Sequence, residues 1–237
     1  RRDQGIYLTV LGFGMGNIKD NKMEMLADKG NGNYAYIDNA LEAKKVLVSQ
    51  MAGTLFTIAK DVKIQVEFNP AKVKAYRLIG YENRKLADRD FNDDKKDAGD
   101  MGAGHSVTAL YEIVPADSPE NVATVDSLVY QQSQSAGSND LLQVKIRYKK
   151  PNKETSSLIT QRVDGQADLA ATPSENFRFA AAVAEYGMLL RNSEFQGQSS
   201  YAQALALARG ARGSDENGYR TEFIKLLEIS QILAARP

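Results

Sequence analysis

Asp61-Val62-Lys63-Ile64-Gln65-Val66-Glu67-Phe68 alternates polar and apolar side chains without interruption. A period of two sends successive side chains to opposite faces of a strand, so one face of this segment packs on a core and the other meets water. Half-solvated strands of that kind belong to antiparallel sheets, because strands buried in a parallel sheet read as continuous apolar runs. The alternation returns in Leu142, Val144, Ile146 and Tyr148 set against Gln143, Lys145, Arg147 and Lys149, and in Val107, Ala109, Tyr111 and Ile113. Val73 to Ile79 and Leu158 to Val163 carry it less cleanly. Residues 54–165 are therefore expected to form an antiparallel β-sandwich.

On the N-terminal side, residues 1–53 alternate strand and helix: an apolar run from Ile6 to Phe13, a helix from about Asn21, a strand from Tyr34 to Ile37, and a helix from about Asn39. Asn21 with Glu24 and Asn39 with Glu42 have capping-box spacing. Gly30 and Gly32 suit a helix stop followed by a turn. On the C-terminal side, residues 166–237 read as a helical subdomain packed on the sandwich. Thr172-Pro173-Ser174-Glu175 predicts an N-cap, a proline at the first helical position and a Glu at the third. Phe177, Ala180, Ala181, Val183, Ala184, Met188 and Leu189 follow at helical spacing. Ser200 with Gln203 opens a second helix, and a third from about Tyr219 carries Phe223, Leu226, Ile229 and Leu233. The expected fold class is α+β: a residual α/β segment, a sandwich, and a helical subdomain.

Composition narrows the function. Thirty Lys plus Arg balance 30 Asp plus Glu, which leaves no global positive field for nucleic acid or an anionic membrane. The absence of Cys removes thiol nucleophiles, thiolate metal sites and disulfides together. No stretch approaches the roughly 20 apolar residues that span a bilayer. Arg1-Arg2-Asp3-Gln4 runs directly into an apolar strand, as expected of a segment whose preceding helix lies upstream. Such a strand would be an apolar edge, open to self-association through Ile6 to Phe13.

Four features carry candidate chemistry. Gly12-Phe13-Gly14-Met15-Gly16-Asn17, with Asp38 ending the next strand, has part of a dinucleotide-binding pattern, but Asn17 stands where the third glycine belongs; a plain strand-to-helix turn is the expectation. Asp90, Asn92 and Asp94 have the one, three, five spacing of a calcium loop, but Lys95 occupies the glycine position and Met101 the bidentate Glu position. They lie in a segment, Asp88 to Asp100, with six Asp against Arg89, Lys95 and Lys96, which reads as a solvated loop. His105, the only imidazole, reads either as a structural residue at a strand start or as an acid-base group working with the acidic loop around Asp93 and Asp94 in a hydrolase. Lys145, Arg147, Lys149 and Lys150 form a basic stripe that is either solvated or paired with that loop. Gln131 to Ser138 is low in complexity and reads as a hairpin tip or connection.

Particular wording adds to these patterns. Leu8-Thr-Val-Leu-Gly-Phe-Gly14, Met25-Leu-Ala-Asp28 and Gly30-Asn-Gly-Asn-Tyr-Ala-Tyr-Ile-Asp38 resemble the closing strand, helix and strand of a von Willebrand factor type A domain. Gly53 to Pro70, Tyr76 to Arg84, Asp90-Phe-Asn-Asp-Asp94, Gly102-Ala-Gly-His105, Ala109-Leu-Tyr-Glu112, Phe177 to Ala184, Gly187 to Arg191 and Ala206 to Arg212 resemble the C-terminal region of bacterial lipoproteins that carry such a domain. The resemblance implies that residues 1–53 are the C-terminal portion of a type A domain. It also implies an extracytoplasmic location, periplasmic or at the cell surface, with a lipid anchor through an upstream segment. Type A domains bind Mg²⁺ or Ca²⁺ through Asp-x-Ser-x-Ser plus a separate Thr and Asp. No Asp in this chain has Ser two residues on, so the resemblance places any such site upstream and none in this chain. The expectation is a non-catalytic protein-interaction or scaffolding region with a protein partner, without a cofactor of its own.

Overall fold

The structure is a computed structural model that describes residues 7–14, 16, 18–81, 85–120, 138–165 and 173–235. Two compact units are interleaved along the chain. The first takes Arg1–Asn69, Leu86–Val107 and Asp140–Asp164; the second takes Pro70–Lys85, Thr108–Asn139 and Gly165–Pro237. The mixture of helices with a mainly antiparallel set of strands agrees with the α+β class.

In the first unit, β1 (Leu8–Phe13) pairs in parallel with β2 (Asn31–Ile37), and the connection between them carries α1 (Asp20–Lys29). The capping expected at Asn21 is not formed: α1 starts at Asp20 behind Lys19, with no side-chain cap, and Asp20 instead accepts the Tyr34 hydroxyl. Asn39 does cap α2 (Ala40–Lys44), its Oδ1 accepting the amides of Leu41 and Glu42 at 2.9 Å. Glu42 turns to Lys45 at 2.5 Å rather than back to the cap. A π-turn over Lys45–Ser49 leads into α3 (Met51–Leu55).

β3 (Thr57–Phe68) is the long central strand. It pairs antiparallel on one side with β5 (Gly99–Gly102) and on the other with β7 (Asp140–Lys149), which in turn pairs with β8 (Ser156–Asp164). The register aligns Ile64, Ile146 and Ile159 on one face and Lys63, Arg147 and Leu158 on the other. The alternation is kept in the pairing, but not the expected burial: Lys63 and Lys149 of the polar face are buried, while Ile64 and Ile159 are exposed. It breaks at Asp61, where β3 bulges against both neighbours and Asp61 takes φ of 50°, a left-handed conformation that Asp tolerates better than most residues.

The second unit holds β4 (Val73–Ile79) paired antiparallel with β6 (Leu110–Pro115), and three helices: α4 (Glu175–Leu190), α5 (Tyr201–Gly210) and α6 (Tyr219–Ala234). β6 begins three residues later than the alternation from Val107 predicts. The strands expected in one sandwich over 54–165 fall into two sheets that belong to different units. Alternation marks a strand but not its partner; the pairing of β3 with β7 draws residues 140–164 to the first unit, while β4 and β6 pair with one another. The divisions at 53 and 165 expected from sequence therefore do not match the compact units, which are discontinuous.

Small residues set the helix packing. Ala182, Ala204 and Ala208 are wholly buried, and Leu205, Ile224, Leu227 and Tyr186 close around them. Tyr186 meets Phe223 and Tyr201 edge to face, at 5.5 and 6.1 Å between centroids. Its hydroxyl lies 2.9 Å from Ser230 Oγ, so its polar end is satisfied. α6 buries Ile224 and Leu227, while Leu226, Ile229 and Leu233, expected on its core face, are exposed. Because α6 is apolar on more than one side, periodicity did not select the buried stripe. The α4 cap is Ser174, whose Oγ accepts the Phe177 amide at 3.2 Å; the expected cap Thr172 lies outside the described residues. Ser200 caps α5 as its spacing predicts, accepting the Gln203 amide at 3.2 Å. Asp215 secures the start of α6, accepting the Arg220 amide at 3.0 Å and the Thr221 amide and hydroxyl at 2.7 Å. Partial desolvation pushes its carboxyl up, but these hydrogen bonds outweigh it and hold the pKa below the usual Asp range. Of the low-complexity run, Gln131 to Gly137 lie outside the described residues.

One contact fixes α3 against β5 of the four-stranded sheet. A Cβ at Gly102 would stand 1.6 Å from the Gly53 carbonyl oxygen, and a Cβ at Gly53 would stand 2.3 Å from His105 Nε2. Gly102→Ala should cost about 2 kcal/mol, since backbone and not a side-chain tip must move. Gly53→Ala should cost less and be relieved by His105→Ala, a coupling that urea unfolding of the two singles and the double measures.

Candidate functional site

The acidic segment Asp88 to Asp100 and the basic stripe of β7 meet in the first unit. The segment begins with a 3₁₀ turn over Asp88–Asn92, which places Phe91 in a buried position. The Arg147 guanidinium lies 5.6 Å from the Phe91 ring centroid, donates to Asn92 Oδ1 at 3.0 Å and to Ser156 Oγ at 2.8 Å. Lys63, only 2% exposed, donates to the carbonyl of Asp90 at 3.2 Å and to that of Asp93. Lys149, 8% exposed, donates to Asp61 Oδ2 and to the Asp94 carbonyl, each at 2.7 Å. Asp94 accepts the Ser156 hydroxyl at 2.5 Å and its amide at 3.3 Å.

The electrostatics follow from these contacts. The hydrogen bond to Asp61 is the main cause that raises the Lys149 pKa. Hydrogen bonds from Ser156 are the main cause that holds the Asp94 carboxyl below the usual range. Asp100 behaves oppositely: burial pushes its pKa up, and the neighbouring Asp61 charge adds to the rise. Its Oδ1 accepts the Asp61 amide at 3.1 Å. The Tyr7 phenol, next to Asp100, is raised chiefly by burial.

The calcium-loop spacing therefore does not converge. Asp90 faces Lys96 at 3.3 Å and Arg89 at 3.7 Å, Asn92 accepts from Arg147, and Asp94 is held by Ser156. Three side chains aimed at three different donors do not form one cation cage. His105 lies against Gly53, and among the described contacts it does not meet Asp93 or Asp94. In the glycine-rich turn, Gly14 has φ of 83° and its carbonyl accepts the Tyr36 hydroxyl at 2.5 Å; Met15 and Asn17 lie outside the described residues. Of the sequence candidates, then, the structure joins the acidic run to the basic stripe. Asp61, Lys63, Phe91 and Ser156 complete the network, and no spacing in the sequence marked them.

In the second unit, Arg77 of β4 and Glu112 of β6 are cross-strand partners, 2.5 Å apart. The guanidinium lies 4.4 Å from the Phe195 ring centroid and 3.8 Å from Met188 Sδ. With Ile79 and the segment Gln196 to Ser199 they line a cleft of about 440 Å³.

An α+β chain organised around these two clusters matches the family described as "Uncharacterized protein YfbK, C-terminal" over residues 53–233. The chain belongs to that family. It is 43% identical over 234 residues to "Uncharacterized protein YfbK" of Escherichia coli (strain K12), an overlap that covers 97% of this chain and 40% of that protein. The chain thus spans less than half the length of that relative. Among solved structures, the von Willebrand factor type A protein from Catenulispora acidiphila aligns with 93% of this chain and 50% of its own, at 14% identity and a TM-score of 0.42.

Lys149→Met should destabilise the first unit by about 2 kcal/mol, below the about 3–5 kcal/mol of a fully enclosed pair because Asp61 keeps some solvent. Adding Asp61→Asn should recover part of the loss in denaturant unfolding. Because the Asp94 pKa is depressed on folding, its contribution is present above the ordinary Asp value of about 4 and fades as pH falls through the folded pKa. Asp100 has the opposite sign, its raised pKa weakening the fold as pH rises. Asp100→Asn, which keeps the acceptor for the Asp61 amide, should raise the thermal midpoint at neutral pH and leave it unchanged in acid.

Proposed function

We propose that this chain is a non-catalytic protein-interaction or scaffolding region of an extracytoplasmic protein of the von Willebrand type A kind, anchored through an upstream lipid-bearing segment. The observation that carries the reading is the parallel β1–β2 pair joined through α1 and open on the β1 side, as the last part of a larger α/β sheet would be; the open side also bears on self-association of this chain. β1 is parallel to β2 and has no second strand partner among the described residues. Its terminal apolar residues, Leu8 and Phe13, are 50% and 61% exposed. Parallel strands are ordinarily enclosed on both sides, and an open apolar edge recruits another chain. Ile6, the first residue of the apolar run, lies outside the described residues.

The location and the anchor rest on the resemblance of Leu8 to Asp38 and of the later segments to bacterial type A lipoproteins. In this reading residues 1–53 close a type A domain, and any Mg²⁺ or Ca²⁺ belongs to the longer protein, with no cofactor in this segment. The partner is a protein: the balanced charge offers no field for nucleic acid. No described helix is long and apolar enough to cross a membrane, which fits a segment that does not itself insert.

Light scattering after size exclusion tests the edge. The mass of this chain should rise with concentration, and Leu8→Lys with Phe13→Lys should return it to that of a single chain while the circular dichroism spectrum is kept. A single-chain mass at every concentration would overturn self-association through β1. Calorimetric titration with Mg²⁺ and Ca²⁺ should give no heat; heat that disappears in Asp94→Ala would move a cation site into this chain.

A further inference from the structure

We propose that the cleft between the β4–β6 face and the α4–α5 connection binds a neutral, hydroxyl-rich ligand, a short oligosaccharide. Arg77 is matched by Glu112, and its fork gives both Nε and Nη2 to Glu112 Oε2. The start of α5, a second electropositive element beside the cleft, already has a carboxylate: Glu185 of α4, 6% exposed, accepts the Ser200 amide at 3.1 Å. Both positive elements are thus neutralised from within, and an anionic ligand would have to displace a carboxylate to bind.

What remains is a wall of planar polar groups beside an aromatic ring. Gln196, Gln198 and Gln203 each carry donors and an acceptor, and Glu112 is more than half exposed. Phe195 is 51% exposed, and Met188 and Ile79 supply apolar floor. Sugars present an apolar face of C–H groups and a rim of hydroxyls, each both donor and acceptor, and this lining offers a partner for each part. A peptide strand is the weaker fit. It would add to a strand edge, where main-chain groups are free, whereas Arg77, Ile79 and Glu112 place the cleft on the face of the β4–β6 pair. The Arg77 guanidinium on Phe195 also fixes the ring, so little side-chain freedom is lost on binding.

The test is a ¹⁵N correlation titration of the whole chain with neutral trisaccharides of glucose, mannose and N-acetylglucosamine, and separately with a neutral Gly/Gln/Ser peptide. At least one sugar should shift the amides of Gln196 to Gln203, backbone and side chain, with saturable binding. Phe195→Ala should weaken it by about tenfold, and Arg77→Lys, which keeps the charge but loses the fork and the flat stacking surface, should weaken it too. Phe195 is half exposed, so its removal should leave the spectrum elsewhere unchanged; Gln203→Ala is the second variant if it does not. No saturable shift with any sugar, a shift unaffected by Phe195→Ala and Gln203→Ala, or binding by the peptide alone would each overturn the proposal. These outcomes are independent of chain mass, which tests the β1 edge.

Discussion

The Lys63 ammonium is the constraint on which the first unit depends. A lysine buried in a sheet is costly unless its charge is hydrogen-bonded, and here two backbone carbonyls of one turn, those of Asp90 and Asp93, receive it. That requirement fixes more than a side chain. The turn must lie over the polar face of β3 and β7, which brings Phe91 down beneath Arg147 and sets Asp94 against Ser156. Burial of Lys149 follows from the same cover, and Asp61 is turned inward to meet it. The β3 bulge at Asp61 is then the local backbone solution: it frees the amide for Asp100 and aims the carboxylate at Lys149 and the Ala98 amide. A regular strand would have kept Asp61 in step with the alternating residues that follow it.

A second constraint is distance. Gly53 and Gly102 let two backbones approach to a separation that no side chain would permit, and the buried alanines of α4 and α5 do the same for helices. Both fix where larger residues can go, so His105 and the Phe179, Tyr186 and Phe223 rings occupy defined places. The lone imidazole, His105, is held against Gly53.

The strands were legible in the sequence because alternation is a local property; β3, β7 and even the weaker β4 and β8 fall where the pattern puts them. Caps at Asn39 and Ser200 were legible for the same reason, as side chain and amide are three residues apart. Asn21 failed because Asp20, one residue earlier, was drawn to Tyr34, a contact no local rule contains. Partnership between strands was not legible, and with it went the single sandwich and the consecutive domain order. The site was half legible. An acidic run and a basic stripe invite pairing, but a buried Lys63 and a solvated Lys63 have the same place in an alternating strand, and only the tertiary cover distinguishes them.

The balance of charge gains meaning from this arrangement. Several of the 30 cations and 30 anions are matched with one another: Lys149 with Asp61 largely buried, Arg77 with Glu112 and Arg209 with Glu228 nearer the surface. Charges matched with one another leave little net field to steer a distant partner. In the reading proposed above, recognition rests on short-range features, such as an open strand edge, a half-exposed ring or a row of amides, whose contribution depends on fit rather than on ionic strength. Those are the features that the β1 edge and the Arg77 cleft present, one in each unit.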